Sequence, residues 1–319
     1  MTHSRLENFT ISFFAMFLGL GGFALLFQKA EIFMYFPFHV SNYVAGVTII
    51  LFVILLIFFF ARWIKYPNAV REEYHHPIKI NFFATISIAL LIFSIFFLAV
   101  NVEISKYLWI IGTVLHLIFT LSVMSAWTNK ENLKREHLNP AWFIPIVGNI
   151  LIPIAGITHF PKDISWFFFS VGIIYWILLF TIILNRIIFH KTLPEKLRPT
   201  MFILIAPPAI GFIAYVKLTG TIDSFGKILY FFSLFLFLKL IYQFKIFFKI
   251  KFYLSWWAYS FPISALGLAS SLMYHKTDIV AYMYISYSFL ALLTLVIIIL
   301  TYKTIIAMTK HELCVPEEE

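Results

Sequence analysis

Apolar residues run along this chain in long blocks rather than alternating with polar ones. Ten blocks approach the roughly 20 residues that a helix needs to cross a bilayer core. They cover residues 9–27, 40–61, 80–100, 107–127, 141–157, 166–184, 201–215, 228–244, 252–273 and 279–302. The pattern predicts an all-α integral membrane fold with ten transmembrane helices in one domain, residues 1–319. The fifth and seventh blocks are short and interrupted by proline. The polar stretch before the first block is too short for a cleavable leader, so that block is expected to be retained as a span.

A faint repeat runs through the odd-numbered blocks. They read FFAMFLG from Phe13, FFATIS from Phe82, FIPIVG from Phe143, IAPPAIG from Ile205 and SFPISALG from Ser260. The even-numbered blocks lack proline and are plainer runs of Phe, Leu and Ile. One helix hairpin taken five times fits this pattern. A proline inside a helix removes a backbone hydrogen bond and kinks the axis. Freed backbone groups are tolerated at membrane depth only where protein or water satisfies them. Pro145, Pro153, Pro207, Pro208 and Pro262 are therefore predicted kink sites on inner helices around a central pathway, with the even helices outside.

Composition agrees with the pattern. Hydrophobic residues make up 61% of the chain and charged residues only 12%, against roughly 25% in a soluble domain. The net charge of +9 follows topology rather than nucleic-acid binding, and no nucleic-acid partner is expected. Of the 24 Lys and Arg, only Lys29, Lys106, Lys162, Lys217, Lys227 and Lys276 fall in one set of alternate loops. The remaining basic residues lie in the other set and at the termini. By the positive-inside rule both termini are cytoplasmic and the protein is a multi-pass component of the inner (plasma) membrane. The single cysteine, Cys314, excludes a disulfide within the chain.

Two stretches carry a more specific signal: NPAWFIPIVGNILIPIAG from Asn139 and SWWAYSFPISALGLAS from Ser255. With the weaker HHPIKINFFATISI from His75 and FLGLGG from Phe17, they resemble the TehA, C4-dicarboxylate-transporter and slow-anion-channel family over nearly the whole chain. The resemblance implies five helix hairpins in a quasi-fivefold ring, odd helices lining a central pore, and a homotrimer in which each protomer has its own pore. It also implies a phenylalanine on the ninth helix that plugs the pore, here Phe261. One departure is Phe17, which stands where family members often carry proline.

Candidate pore-lining residues are Phe14, Phe17, Phe83, Thr85, Ile144, Asn149, Ala206, Ser260, Pro262 and Ser264, with Phe261 as gate. Ser12 and Ser87 add hydroxyls at similar depth. No Asp or Glu falls in the middle of a block, and His116 is the one candidate proton relay. A pore without fixed charge binds ions weakly, which suits conduction and disfavours the acidic rings of a cation channel. Gly19–Gly22 lies inside an apolar block and reads as close helix packing rather than a phosphate loop. Glu72, Glu73, His75 and His76 read as a solvated loop. No catalytic motif, metal-ligand spacing or cofactor signature is present, so no enzyme activity, metal or cofactor is expected. The expected function is an anion channel for small inorganic or organic anions. The alternatives are a secondary transporter or exporter of dicarboxylate, sulfite or tellurite-type oxyanions and, more remotely, a membrane-embedded enzyme or sensor.

Overall fold

A computed structural model describes residues 4–129, 133–248 and 250–315; Lys130 and Lys249, counted above among the basic residues, lie outside them. Nine helices among these are long and apolar enough to cross a membrane. They are α1 (Ile11–Phe33), α2 (Ser41–Lys65), α3 (Lys79–Phe97), α4 (Val102–Asn129), α5 (Pro140–His159), α6 (Lys162–Phe189), α7 (Glu195–Thr219), α8 (Ser224–Tyr242) and α10 (Val280–Thr309). Between the last two lies α9, a 3₁₀ segment Leu254–Tyr259 that continues as the α-helix Ser260–Thr277. Its length suffices for a span, but Ser255, Ser260, Ser264, Ser270 and Ser271 make it the least apolar of the set. No strand occurs among the described residues.

Inner and outer helices separate by burial. In α1, α3, α5 and α7, 78–89% of the most apolar window is buried, against 22–39% in α2, α4, α6, α8 and α10. The outer helices carry the exposed Ile, Leu, Val and Phe that lipid can cover, such as Ile50, Ile57, Ile118, Leu178 and Ile298. Each inner helix packs on the outer helix that follows it. The inner helices also touch one another in the order α1, α3, α5, α7, α9, and α9 returns to α1.

The repeat in the sequence has a backbone cause. Every inner helix begins as a 3₁₀ helix and converts to α, whereas the five outer helices are continuous α. The switch falls after Phe14 in α1, after Phe83 in α3, after Ile205 in α7 and after Tyr259 in α9. In α5 the 3₁₀ turn Pro140–Trp142 leads to Phe143–Val147, a second 3₁₀ turn Gly148–Leu151, and then the α-helix Ile152–His159. The FF-A, I-APP and SFP motifs straddle these junctions.

The predicted kink prolines take two kinds of place. Pro153, Pro207, Pro208 and Pro262 stand in the first turn of an α segment, where a missing N–H costs little and a fixed φ favours the helix. Pro145 sits within the short helix Phe143–Val147. The axis is therefore interrupted by a change of helix type more than by bending at a single residue.

The α1–α9 contact is held close by glycine. A Cβ on Gly19 would lie 1.9 Å from Ser260 Oγ, and one on Gly22 would lie 2.1 Å from Ser264 Oγ. Only hydrogen fits there, as the sequence pattern suggested. At the other end of α1, Glu73 is buried rather than solvated. It accepts hydrogen bonds from Thr10 Oγ1 (2.6 Å) and Ile11 N (3.0 Å) and pairs with the Arg62 guanidinium. Arg62 Nε also donates to the Glu7 carbonyl (2.9 Å). This pair ties the start of α1 to the end of α2 and to the short helix Pro67–His75. Glu72, His75 and His76 remain exposed.

Candidate functional site: a cavity where the inner helices meet

All five inner helices contribute to one partly open cavity of about 80 Å³. Its wall is built near the 3₁₀-to-α junctions: Ala15 and Leu18 from α1, Phe82 and Ile88 from α3, and Phe143, Ile144, Val147, Gly148 and Leu151 from α5. Ile203, Ala206, Pro207 and Ile210 come from α7, and Trp257, Ala258, Phe261 and Pro262 from α9. No ionisable side chain is among them. By volume the space holds several waters, but apolar walls offer water no partners, and cavities of this kind stay dry. Phe261 and Ala258 are half-buried one helical turn apart, on a helix otherwise largely buried, so the open side of α9 faces the cavity.

The structure puts Ile144, Ala206, Phe261 and Pro262 on this wall. Phe14, Phe17 and Phe83 lie elsewhere, in a buried aromatic cluster with Phe52, Phe59 and Phe93 of the neighbouring helices. Ring centroids there are 5.2 Å apart for Phe17 and Phe52, 5.8 Å for Phe14 and Phe59, and 6.1 Å for Phe59 and Phe83. The aromatic at position 17 therefore fills the α1–α2 contact instead of narrowing the cavity. The candidate hydroxyls are already engaged. Thr85 donates to the Phe82 carbonyl (2.5 Å), Ser260 to Trp257 (2.6 Å) and Ser264 to Phe261 (2.7 Å). Asn149 Nδ2 donates to Thr120 Oγ1 (3.0 Å) and to the Ile146 carbonyl (2.7 Å). Bonds of this kind, from a residue to the carbonyl three positions back, satisfy a buried hydroxyl inside its own helix.

Several lining residues lie beyond those the sequence singled out: Trp257, Ala258, Leu18, Phe82, Gly148 and Ile210 among them. A helical step of three or four from one correct residue reaches most of them. Ala206 leads back to Ile203 and on to Ile210, Ile144 leads to Val147, Gly148 and Leu151, and Phe261 leads back to Trp257 and Ala258.

Charge gathers at one end of the bundle. Lys29 of α1 and Lys217 of α7 repel each other, as do Lys217 and Lys276 of α9. Lys276 Nζ donates to the Gly220 carbonyl (3.1 Å). Three of the few basic residues on the sparsely charged side thus converge from three inner helices. In the adjoining loop Asp223 caps α8 through Gly226 N (3.0 Å) and accepts from Tyr215 Oη (2.5 Å). Those hydrogen bonds hold its carboxyl below the usual carboxylate range.

Comparison with known proteins agrees with this geometry. The profile of the family described as "SLAC1: Voltage-dependent anion channel" matches residues 8–305. An S-type anion channel of Arabidopsis thaliana, SLAH3, is 29% identical over 83% of this chain and 43% of its own length. A second, SLAH2, is 29% identical with 52% of its length covered, so the chain spans about half of these plant channels. An uncharacterised transporter of Methanocaldococcus jannaschii is 29% identical over 97% of this chain and 98% of its own. The tellurite resistance protein TehA homolog of Haemophilus influenzae is 25% identical over 82% and 80%.

Proposed function

Because this chain belongs to the voltage-dependent anion channel family, we propose that it is a channel for small anions whose pathway runs between the inner helices and is closed at the cavity by Phe261. The observation that carries this is the cavity: five helices converge on one space with no ionisable group in its wall. An ion that meets no fixed counter-charge binds weakly and leaves quickly, which favours conduction over tightly coupled carriage. The converging Lys29, Lys217 and Lys276 supply a basic mouth that raises the local anion concentration. A hydrophobic constriction blocks ions by excluding water, and the Phe261 ring is the largest half-buried side chain that α9 turns to the cavity.

The protein acts as ten spans, α9 included, in five hairpins, with both termini on the cytoplasmic side of the plasma membrane. The asymmetry of Lys and Arg supports this orientation. The family resemblance supports assembly as a homotrimer without enzyme activity. A coupled oxyanion transporter is the second reading, supported by the names of the archaeal and Haemophilus relatives. Purified protein in liposomes separates the two. With chloride, nitrate or malate gradients at equal pH inside and out, a channel passes anions down their own gradient. Flux that stops whenever the pH gradient is collapsed rules the channel out in favour of a coupled carrier.

A further inference from the structure

Directly behind the cavity wall sits a histidine whose outer ring nitrogen has no partner. His116 of α4 is fully buried. Its Nδ1 lies 2.9 Å from Ser87 Oγ, and that hydroxyl lies 2.8 Å from the Ala84 carbonyl. A hydroxyl has one proton, and the carbonyl can only accept it. Ser87 therefore accepts from His116, which fixes the proton on Nδ1 and leaves Nε2 as a bare lone pair. No donor among the described residues reaches Nε2.

The position of that nitrogen gives it meaning. A Cβ on Gly148 would lie 2.6 Å from His116 Nε2, 2.5 Å from its Cε1 and 2.9 Å from Ile88 Cδ1. Gly148 and Ile88 both line the cavity. The ring is thus separated from the cavity by a residue with no side chain and by the terminal methyl of an isoleucine. Around the ring, α3 contributes Ser87 and Ile88, α5 contributes Gly148, and α4 itself contributes Thr120, which bonds to the His116 carbonyl (2.8 Å). None of these titrates, and no charged side chain acts on the imidazole among the described residues.

We propose that His116 is an anion-binding side chain of the cavity, taking up one proton and one small inorganic anion together. The proton comes from bulk water and adds to the Nε2 lone pair. The resulting imidazolium donates Nε2–H towards the cavity while Nδ1–H stays on Ser87. In the neutral state the lone pair repels an anion. In the protonated state the ring and the anion form a neutral pair, which a low-dielectric site accepts far more readily than either charge alone. Proton and anion then favour each other reciprocally. This rests on the channel reading, because it takes the cavity as a place where anions reside.

Two readouts test it. In liposomes held at equal pH on both sides, chloride efflux is expected to rise roughly fivefold or more as pH falls from about 8 to about 5.5. His116→Gln is expected to flatten that profile. Separately, the ring protonation of His116 is followed by ¹⁵N NMR in chloride and in gluconate, an anion too large for the cavity; the signal is assigned by its loss in His116→Gln. Chloride is expected to move the protonation midpoint to higher pH. Should His116→Gln not fold, Ile88→Ala, which widens the path to the ring, is expected to enlarge the chloride-dependent shift. A midpoint that ignores chloride, or an efflux profile that keeps its pH dependence in His116→Gln, overturns the proposal. A chloride-dependent midpoint without any chloride efflux leaves the site standing and overturns the channel reading instead.

Discussion

Phe261→Ala removes the ring that α9 turns to the cavity. Its Cδ2 also lies 3.4 Å from where a Cβ on Gly22 would be, so the ring is backed by bare α1 backbone. A water's share of liquid volume is about 30 Å³, and a phenyl ring occupies roughly the space of three waters. Truncation therefore adds room for about three further waters beside the present cavity of about 80 Å³. A chain of waters can then form where an apolar waist had prevented it. If hydration lowers the barrier to an anion by about 1 kcal/mol, conductance rises about fivefold. The stability cost is modest, because the ring already faces open space on one side; roughly 3–5 kcal/mol applies only to fully packed Phe→Ala changes. Phe17→Ala is the matched control. Phe17 is fully buried against Phe14 and Phe52 and bears that full cost without touching the cavity. Chloride efflux per folded protein, together with thermal unfolding in detergent, separates the two variants. Phe261→Ala should raise flux at near wild-type stability; Phe17→Ala should lower stability at wild-type flux. If Phe17→Ala opens the channel while folded Phe261→Ala leaves flux unchanged, the gate has been assigned to the wrong helix.

Four further outcomes follow from the packing and the charges. Glu73→Gln leaves the Arg62 guanidinium buried without a counter-charge and should cost roughly 3–5 kcal/mol in thermal or denaturant unfolding; an unchanged melting curve removes the buried-pair account. Gly22→Ala forces a methyl against Ser264 and should cost about 1–3 kcal/mol of overpacking in the same assay; unchanged stability removes the close-approach account of the α1–α9 contact. Lys217→Gln should reduce chloride flux at low ionic strength and match wild type at about 1 M salt, where the screening length falls to about 3 Å; an equal deficit at both strengths argues against a role for the basic mouth in collecting anions. Reporter tags at residues 2 and 319 should both read cytoplasmic and one beside Lys162 external, and termini on opposite sides contradict an even number of spans.

The spans are legible in the sequence because lipid demands long apolar runs and little else competes with that signal. Their limits are less so where chemistry other than hydropathy sets them. Residues 201–215 mark only the apolar part of α7, which begins at Glu195 in a polar 3₁₀ segment that contains Pro199. Similarly, 252–273 stands out by its motif, although its serines make α9 the least apolar helix. The division into inner and outer helices is written only in part: prolines mark α5, α7 and α9, whereas α1 and α3 carry none and glycine occurs in outer helices too, as at Gly112 and Gly172. Which side of each inner helix faces the cavity is not written at all. Phe82 rather than Phe83 lines it, because a 3₁₀ turn advances about 120° per residue and so puts neighbours on different faces. Thr85, Ser260 and Ser264 look like polar lining until their hydroxyls are seen to bond to their own helix. The ring of His116 behind Gly148 depends on the meeting of α3, α4 and α5, and no local pattern encodes it.

The 3₁₀ starts of the inner helices give the bundle a length and a twist that it can exchange. A 3₁₀ helix rises about 2.0 Å per residue and an α-helix 1.5 Å, and the two turn by about 120° and 100° per residue. Each residue that passes from one form to the other moves the rest of its helix by about 0.5 Å along the axis and rotates it by about 20°. Glu195–Ile205 holds eleven residues in the tighter form. A shift of the junction by two residues would turn the Ala206–Ile210 face by about 40°, carrying one set of side chains off the cavity wall and bringing the next set on. Five such junctions around one cavity behave as the threads of five screws meeting at a common aperture. A small advance on each would change its bore without breaking the continuous outer helices that face the lipid.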